Sequence, residues 1–135
     1  IASTADAPDN FTAPSARYIS SQKVLQGILA FVFLAAGAAN LMGAMDADLA
    51  RLGFPEYFSL IIGVAYLISV VCIYQTRFPF LQDWAFAGMA VSLVGAAGSH
   101  ILAGDPIGNA MPAIIIQIVL VFAYVMRAKL ALAKD

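Results

Sequence analysis

Four long stretches without a charged residue dominate this 135-residue chain. Residues 24–45, 57–76, 84–104 and 106–126 contain no Asp, Glu, Lys or Arg, and together they hold 84 residues. An α-helix rises about 1.5 Å per residue, so about 20 residues are enough to cross a hydrocarbon core of about 30 Å. The pattern therefore predicts four membrane-spanning segments.

The order of residues within these stretches favours helices over the strands of a membrane barrel. Barrel strands alternate apolar and polar residues, whereas residues 114–122 read Ile-Ile-Ile-Gln-Ile-Val-Leu-Val-Phe. We predict an all-α, integral membrane, antiparallel four-helix bundle with a polar N-terminal tail, because short connections make consecutive helices antiparallel neighbours. The predicted helices cover about residues 24–45, 57–75, 84–103 and 111–131, with turns at 53–55 and 104–106.

Composition excludes several classes of function. Charged residues make up 11% of the chain and hydrophobic residues 62%, whereas soluble domains carry about 25% charged residues. The net charge of -1 leaves no basic surface for nucleic acid. Cys72 is the single cysteine, which excludes an internal disulfide and a multi-thiolate metal cluster.

Basic residues predict the orientation in the membrane. Six of the seven lie on the side that carries both termini, and the other side carries Arg51. The six are Arg17, Lys23, Arg77, Arg127, Lys129 and Lys134. Because basic loops stay inside, both termini are predicted to be cytoplasmic, or on the matrix or stromal side. The expected location is a bacterial inner membrane or an organelle membrane, as a multi-pass protein.

The few polar residues inside the predicted spans are the candidate ligand-binding residues: His100, Asn40, Gln117 and Tyr66. The first three lie in the half of the membrane away from the termini, and polar groups in lipid are expected to face the bundle interior. Two interpretations stay open. The residues form an interhelical hydrogen-bond cluster, or they line a pocket for the polar head of a small lipophile such as a quinone. In the second case His100 would be a donor or a proton carrier.

Small residues on the third predicted helix form a stripe on one face, which we call the small-residue stripe. It consists of Gly88, Ser92, Gly95, Ala96 and Ser99. The first helix has a similar run at residues 35–39. Small side chains permit close contact between helix backbones, so both regions are predicted to be packing surfaces.

Metal and haem chemistry are weaker interpretations. Met42, Met45, Met111 and His100 lie near one membrane face, with Asp46, Asp48, Glu56 and Asp105. Methionine is a common packing residue, and one histidine gives no spaced pair of ligands for a metal or an axial pair for a porphyrin. We therefore predict no catalytic residue, no metal site and no evident cofactor, beyond contact with a lipid, a quinone or a pigment.

The first 22 residues are polar, with Pro8 and Pro14, and cannot bury enough apolar surface to order themselves. We predict that residues 1–22 form an extended tail held by partner subunits, and that residues 23–135 form the four-helix domain. The expected partners are other membrane-protein subunits and the lipid bilayer.

Five short segments, taken in order and spacing, resemble the DoxX-like family of small four-helix membrane proteins. They are residues 37–41, residues 52–55, residues 62–66, residues 84–88 with 98–100 and 104–105, and residues 111–113. The chain has Asn40 where the family commonly has Lys, and Tyr66 where it commonly has an acidic residue. The resemblance implies a four-helix membrane fold and association with membrane-bound oxidoreductase systems, including electron transfer from sulfur compounds to quinone.

Architecture and resemblance together lead to two main expectations for function, beside a third, an assembly factor or chaperone for another membrane protein. The first is a non-catalytic accessory or stabilising subunit of a larger membrane electron-transfer complex, respiratory or photosynthetic, which its tail would help to clamp. The alternative is a DoxX-like oxidoreductase component that binds a quinone or similar lipophile beside His100, Asn40 and Gln117.

Overall fold

The computed structural model describes residues 16–133, and its regular structure in this range is entirely α-helical. It has five helices: α1 (Ala16–Leu41), α2 (Asp46–Arg51), α3 (Phe58–Tyr74), α4 (Pro79–Leu102) and α5 (Ile107–Leu132). The prediction of an all-α fold is confirmed for these residues.

Three of the helices are long and apolar enough to cross a membrane. These are α1, α4 and α5, with 26, 24 and 26 residues. Helix α3 also lacks charged residues but has 17 residues, which is short for a helix that spans a bilayer alone. Four spans therefore remain a prediction.

Helix boundaries differ from the sequence prediction, and α4 begins at Pro79 rather than near residue 84. Helix α1 begins at Ala16, so residues 16–22 of the predicted tail are its first turns, while residues 1–15 lie outside the described residues. Helix α5 begins directly after Pro106 and contains Pro112 in its interior. The segment between α1 and α3 contains α2, which at six residues is too short to produce a periodic pattern.

The four long helices form a ring of neighbours. Helix α1 packs against α3 and α5, and α4 packs against the same two helices. Buried side chains fill the centre, including Leu29, Phe33, Ile73, Phe86, Met89 and Leu120. We call the end that carries the first residues of α1 the terminus end, and the opposite end, with α2 and the connection between α4 and α5, the loop end.

A close crossing joins α1 to α3. A Cβ atom on Gly37 would lie 3.1 Å from the carbonyl oxygen of Gly63, and one on Gly63 would lie 3.1 Å from the carbonyl oxygen of Gly37. The two backbones therefore meet where neither has a side chain, as small residues permit in membrane bundles. This confirms the predicted packing role of residues 35–39 at Gly37.

Polar side chains tie the terminus end together. Gln26 of α1 donates to the carbonyl oxygen of Ile73 in α3 at 2.9 Å. Gln82 of α4 donates to the carbonyl oxygen of Gln75 at 2.6 Å and accepts a hydrogen bond from Arg127 Nε of α5 at 3.0 Å. Arg127 Nη1 also contacts Asp83 Oδ1 at 2.7 Å. All four long helices are linked at this end.

Candidate functional site: a cavity at the loop end

A cavity of about 310 Å³ lies between the first half of α3 and the second half of α4. It is distant from the short connection that joins these two helices, and the segment around α2 borders it. The lining residues are Ala36, Asn40, Met45, Asp48, Leu49, Leu52, Phe54, Phe58, Ile62, Tyr66, Ser92, Gly95, Ala96, Ser99 and His100. Most are apolar, and a few polar groups interrupt the wall.

The small-residue stripe forms the α4 wall of this cavity. Ser92, Gly95, Ala96 and Ser99 line it, and a Cβ atom added to Gly95 would meet nothing within 4 Å. Gly88 at the other end of the stripe has the same open surroundings. The prediction that the stripe is a helix-packing surface is therefore wrong at Gly88 and Gly95. Large side chains of α3, such as Phe58 and Tyr66, line the other side of the cavity.

His100 at the end of α4 is held by charged residues from two connections. Its Nδ1 lies 2.7 Å from Asp105 Oδ2. Arg51 of α2 donates two hydrogen bonds to the carboxylate of Asp105, at 2.8 and 2.9 Å, and a third to Asp48 Oδ1 at 3.1 Å. The Asp105 side chain is 12% exposed. We call Arg51, Asp105 and His100 the loop-end triad.

Electrostatic interactions within the loop-end triad stabilise the charged forms of Arg51 and Asp105. The hydrogen bonds from Arg51, followed by that of His100, hold the pKa of Asp105 well below its usual range. Asp105, and secondly Asp48, raise the pKa of the Arg51 guanidinium. The backbone supports the arrangement, because Gly104 takes a left-handed conformation with φ of 80° and the Asp105 amide donates to the His100 carbonyl oxygen at 3.0 Å.

The remaining polar groups of the wall bond to their own helices. Asn40 Nδ2 donates to the carbonyl oxygen of Ala36 at 2.8 Å. Ser92 and Ser99 donate to the carbonyl oxygens of residues 89 and 95, at 2.8 and 2.7 Å. The ring of Tyr66 packs edge-on against Phe33 with centroids 4.9 Å apart.

An aromatic pair borders the cavity near α2. The rings of Phe54 and Phe58 stack with centroids 4.4 Å apart and an angle of 14° between their planes. Phe54 follows Gly53, whose φ of 92° turns the chain from α2 toward α3. The pair gives the cavity a flat apolar border beside the polar groups.

The structure brings together three of the four predicted site residues. Asn40, Tyr66 and His100 line the same cavity. Gln117 does not join them, because α5 packs against α1 and α4 rather than against α3. Its Oε1 is buried without a hydrogen-bond partner among residues 16–133. Ligand binding by these residues stays a prediction.

Sequence reasoning missed the partners of His100. Arg51 and Asp105 lie 54 positions apart. The sequence pattern places Asp105 near the same membrane face as His100, but it does not predict the pairing of Asp105 with His100 and Arg51. One feature of the sequence pointed to an ion pair: Arg51 is the single basic residue expected on its side of the membrane, and several carboxylates are expected on the same side. Across the described residues 16–133, no three His, Cys, Asp or Glu side chains gather as a metal site would require.

Comparison with known proteins places the chain in one family. No curated protein and no solved structure matches it. The model of the DoxX-like family matches residues 24–123, a range that includes every residue of the cavity wall and the loop-end triad. Because this match covers well over half of the sequence, the chain belongs to the DoxX-like family.

Proposed function

We propose that this protein spans the membrane four times and binds a small lipophilic molecule with a polar head, such as a quinone, in the loop-end cavity. Its family and its three long apolar helices indicate a membrane protein. The observation that carries the proposal is the wall, where a few polar side chains, among them Asn40, Tyr66 and His100, interrupt a mainly apolar surface. Ligand sites of about 300 to 1,000 Å³ typically combine an apolar lining with a few placed polar groups.

Helix α3 is the proposed fourth span, because it runs beside α1 over most of the thickness of the bundle. Its last turn meets Gln26 of α1 through the carbonyl oxygen of Ile73. Its first half crosses α1 at Gly37 and Gly63. The outer face of α3 is apolar and exposed, as lipid contact requires: Leu60, Ile61, Val64, Ile68 and Val71. Four spans and the excess of basic residues at the terminus end support cytoplasmic, matrix or stromal termini.

Access from the bilayer follows from the shape of the wall. Gly95 and Ala96 line the cavity and are themselves exposed on the surface of α4. A lipophile dissolved in the membrane would therefore enter sideways, past residues too small to block it. Its polar head would meet His100 and Asn40, which lie in the half of the bundle near α2.

The test fills the cavity without altering the bundle. A Gly95→Leu variant places a side chain into the cavity from a position whose Cβ meets nothing within 4 Å. Gly88→Leu is the matched control, since its Cβ is equally free and it does not line the cavity. Binding of radiolabelled decyl-ubiquinone would be measured with the protein in lipid nanodiscs.

The expected result is saturable binding to the wild type and to Gly88→Leu, and loss of binding in Gly95→Leu. Equal binding by all three proteins, or none by the wild type at concentrations where the probe partitions fully into the nanodisc, would overturn the proposal.

An accessory subunit of a membrane electron-transfer complex is the second candidate. The observation that favours it is an exposed aromatic cluster at the terminus end: Phe80 and Trp84 pack edge-on with centroids 5.4 Å apart and are 50% and 68% exposed. Such a surface suits a neighbouring subunit. Native electrophoresis of the tagged protein from mildly solubilised membranes tests it. A larger assembly that is lost on Trp84→Ala supports this role, and a monomer contradicts it.

A further inference from the structure

We propose that the cavity selects a lipophile whose head is an aromatic hydroxyl, a phenol or hydroquinone, which donates a hydrogen bond to His100 Nε2. This inference rests on the proposed function and goes beyond it, because it names the hydrogen-bonding class of the ligand. A quinone carbonyl only accepts hydrogen bonds, whereas a phenol or hydroquinone donates them.

The tautomer of His100 follows from its partner. An ionised carboxylate only accepts hydrogen bonds, and Arg51 holds Asp105 in that form through two short bonds. Nδ1 of His100, 2.7 Å from Asp105 Oδ2, must therefore carry a proton. In a neutral imidazole the opposite nitrogen, Nε2, is then an acceptor.

The direction of the hydrogen bond differs from the sequence prediction, in which His100 was a donor or proton carrier. Asp105 does not line the cavity, whereas His100 does. The ring nitrogen turned away from Asp105 has no hydrogen-bond partner within residues 16–133. The loop-end triad thus presents a lone pair at the site, in the way that a buried carboxylate orients an imidazole base in hydrolases.

The two serines of the wall add further acceptors. Ser92 and Ser99 each have one hydroxyl proton, and each donates it to a carbonyl oxygen of α4. Their oxygens keep lone pairs that can accept. The α4 wall therefore offers three acceptors. A ligand carbonyl can accept from Tyr66 and Asn40 on the other walls, so a quinone can still bind, but it finds no donor on the α4 wall and binds more weakly than a hydroxyl there. Such an unmatched polar contact is unfavourable in a site away from water.

Donors are found on the opposite walls, where they complete the recognition of a hydroxyl group. The Tyr66 hydroxyl and the second Asn40 amide proton are donors in the cavity wall, and they can donate to the lone pairs of a ligand oxygen. The flat border formed by Phe54 and Phe58 fits an aromatic ring, since stacked rings favour offset contact with another ring. An aromatic hydroxyl therefore matches the site better than an aliphatic alcohol.

The test uses two ligands that differ by one hydrogen-bond donor, para-heptylphenol and its methyl ether, para-heptylanisole. Both would be titrated by calorimetry into nanodiscs that contain the protein, at about pH 8.5, which lies above the usual titration range of imidazoles and below that of phenols. Empty nanodiscs correct for partitioning. We expect the phenol to bind about tenfold more tightly, as the loss of one well-placed hydrogen bond implies.

Two variants assign the preference to His100. His100→Leu keeps a similar volume and removes the acceptor, so its preference for the phenol is expected to vanish. Gln117→Leu is the matched control, because it removes a polar group that does not line the cavity, and it is expected to keep the preference.

The outcomes separate this inference from the proposed function. Equal affinity of the wild type for the phenol and the anisole, or an unchanged preference in His100→Leu, overturns the selection of a donor while cavity binding stands. Binding of neither ligand, together with no binding of decyl-ubiquinone, overturns both. If His100→Leu fails to fold, the ratio of the wild-type affinities for the phenol and the anisole still shows whether the cavity selects a hydrogen-bond donor.

Discussion

Among the long helices, α3 has two neighbours, α1 and α4, and it meets them in opposite ways at the same level of the bundle. Toward α1, Gly63 lies against Gly37, and one added carbon atom on either glycine would lie 3.0 to 3.1 Å from neighbouring atoms, closer than ordinary van der Waals contact. Toward α4, Ile62 and Tyr66 face the small-residue stripe across a cavity. Small residues therefore produce close contact only when they occur opposite each other on both helices.

Polar contacts add to the apolar core that α3 and α4 share. At the terminus end Gln82 of α4 bonds to the carbonyl oxygens of Ile73 and Gln75. At the loop end Arg51 joins α2 to the connection that follows α4. The two helices are thus joined directly at the terminus end, and at the loop end only through α2 and the connection after α4, beside the cavity.

The largest expected effect comes from filling the contact between α1 and α3. Gly37→Leu would place a side chain 3.1 Å from the Gly63 carbonyl oxygen and 3.0 Å from Leu67 Cδ2. We expect the free energy of unfolding to fall by about 3 kcal/mol, because overpacking forces the backbones apart. Denaturation in mixed detergent micelles measures it. Gly88→Leu, in open space, is expected to leave stability unchanged, and equal losses would contradict the comparison.

An intermediate effect is expected where α3 and α4 are joined at the terminus end. Gln82→Leu removes hydrogen bonds to Gln75 and Ile73 and the acceptor of Arg127. The free energy of unfolding should fall by about 2 kcal/mol, since hydrogen bonds to charged groups contribute about 1.5 to 3 kcal/mol. The same assay measures it. Gln117→Leu removes an unpartnered Oε1 and should not destabilise, so a similar loss there would argue against this explanation.

A local effect is expected at the loop end. Arg51→Met removes the contacts that tie α2 to Asp105, and Arg51 is itself 47% exposed. We expect a small change in melting temperature and several-fold faster amide hydrogen exchange in α2, because exposed segments open independently of the core. Exchange measured by mass spectrometry decides this. Arg77→Met, at the opposite end, should leave α2 unchanged, and unchanged exchange in both variants would show that Arg51 does not hold α2.

The smallest effect concerns pH. Since the pKa of Asp105 is lowered in the folded protein, its contribution to stability is present above the ordinary carboxyl pKa of about 4 and is lost only as the pH falls through the lower, folded value. The carboxyl carbon of Asp105, followed by NMR, should titrate below pH 4 in the wild type and closer to pH 4 in Arg51→Met. A wild-type midpoint at the ordinary value would contradict the role of Arg51.

The positions of the long helices could be predicted because charge is strongly unfavourable in lipid, so uncharged stretches mark them. Their ends were less certain: α1 begins at Ala16, in a polar segment where hydropathy gives no signal. Helix α2 was missed because six residues show no period. The turns at Gly53 and Gly104 were predicted, and both glycines take positive φ, the conformation that favours glycine.

The site could be predicted in part, because depth along a helix can be estimated from sequence and direction around it cannot. Asn40 and His100 share both the predicted depth and the cavity, whereas Gln117 shares only the depth. Tyr66 lines the same cavity from the middle of α3. The contact of Arg51 with Asp105 could not be predicted, because it depends on two connecting segments lying close together in the folded protein. No local sequence pattern indicates this.

The open surroundings of Gly95 have a consequence for the evolution of this family. An alanine there would reduce the cavity while the four helices kept their places, because its Cβ atom would meet no other atom within 4 Å. Under the proposed function, relatives could therefore differ in the ligands they bind through single substitutions on one face of α4. Variation of the residue at this position among relatives would then reflect differences in the ligand bound rather than differences in fold.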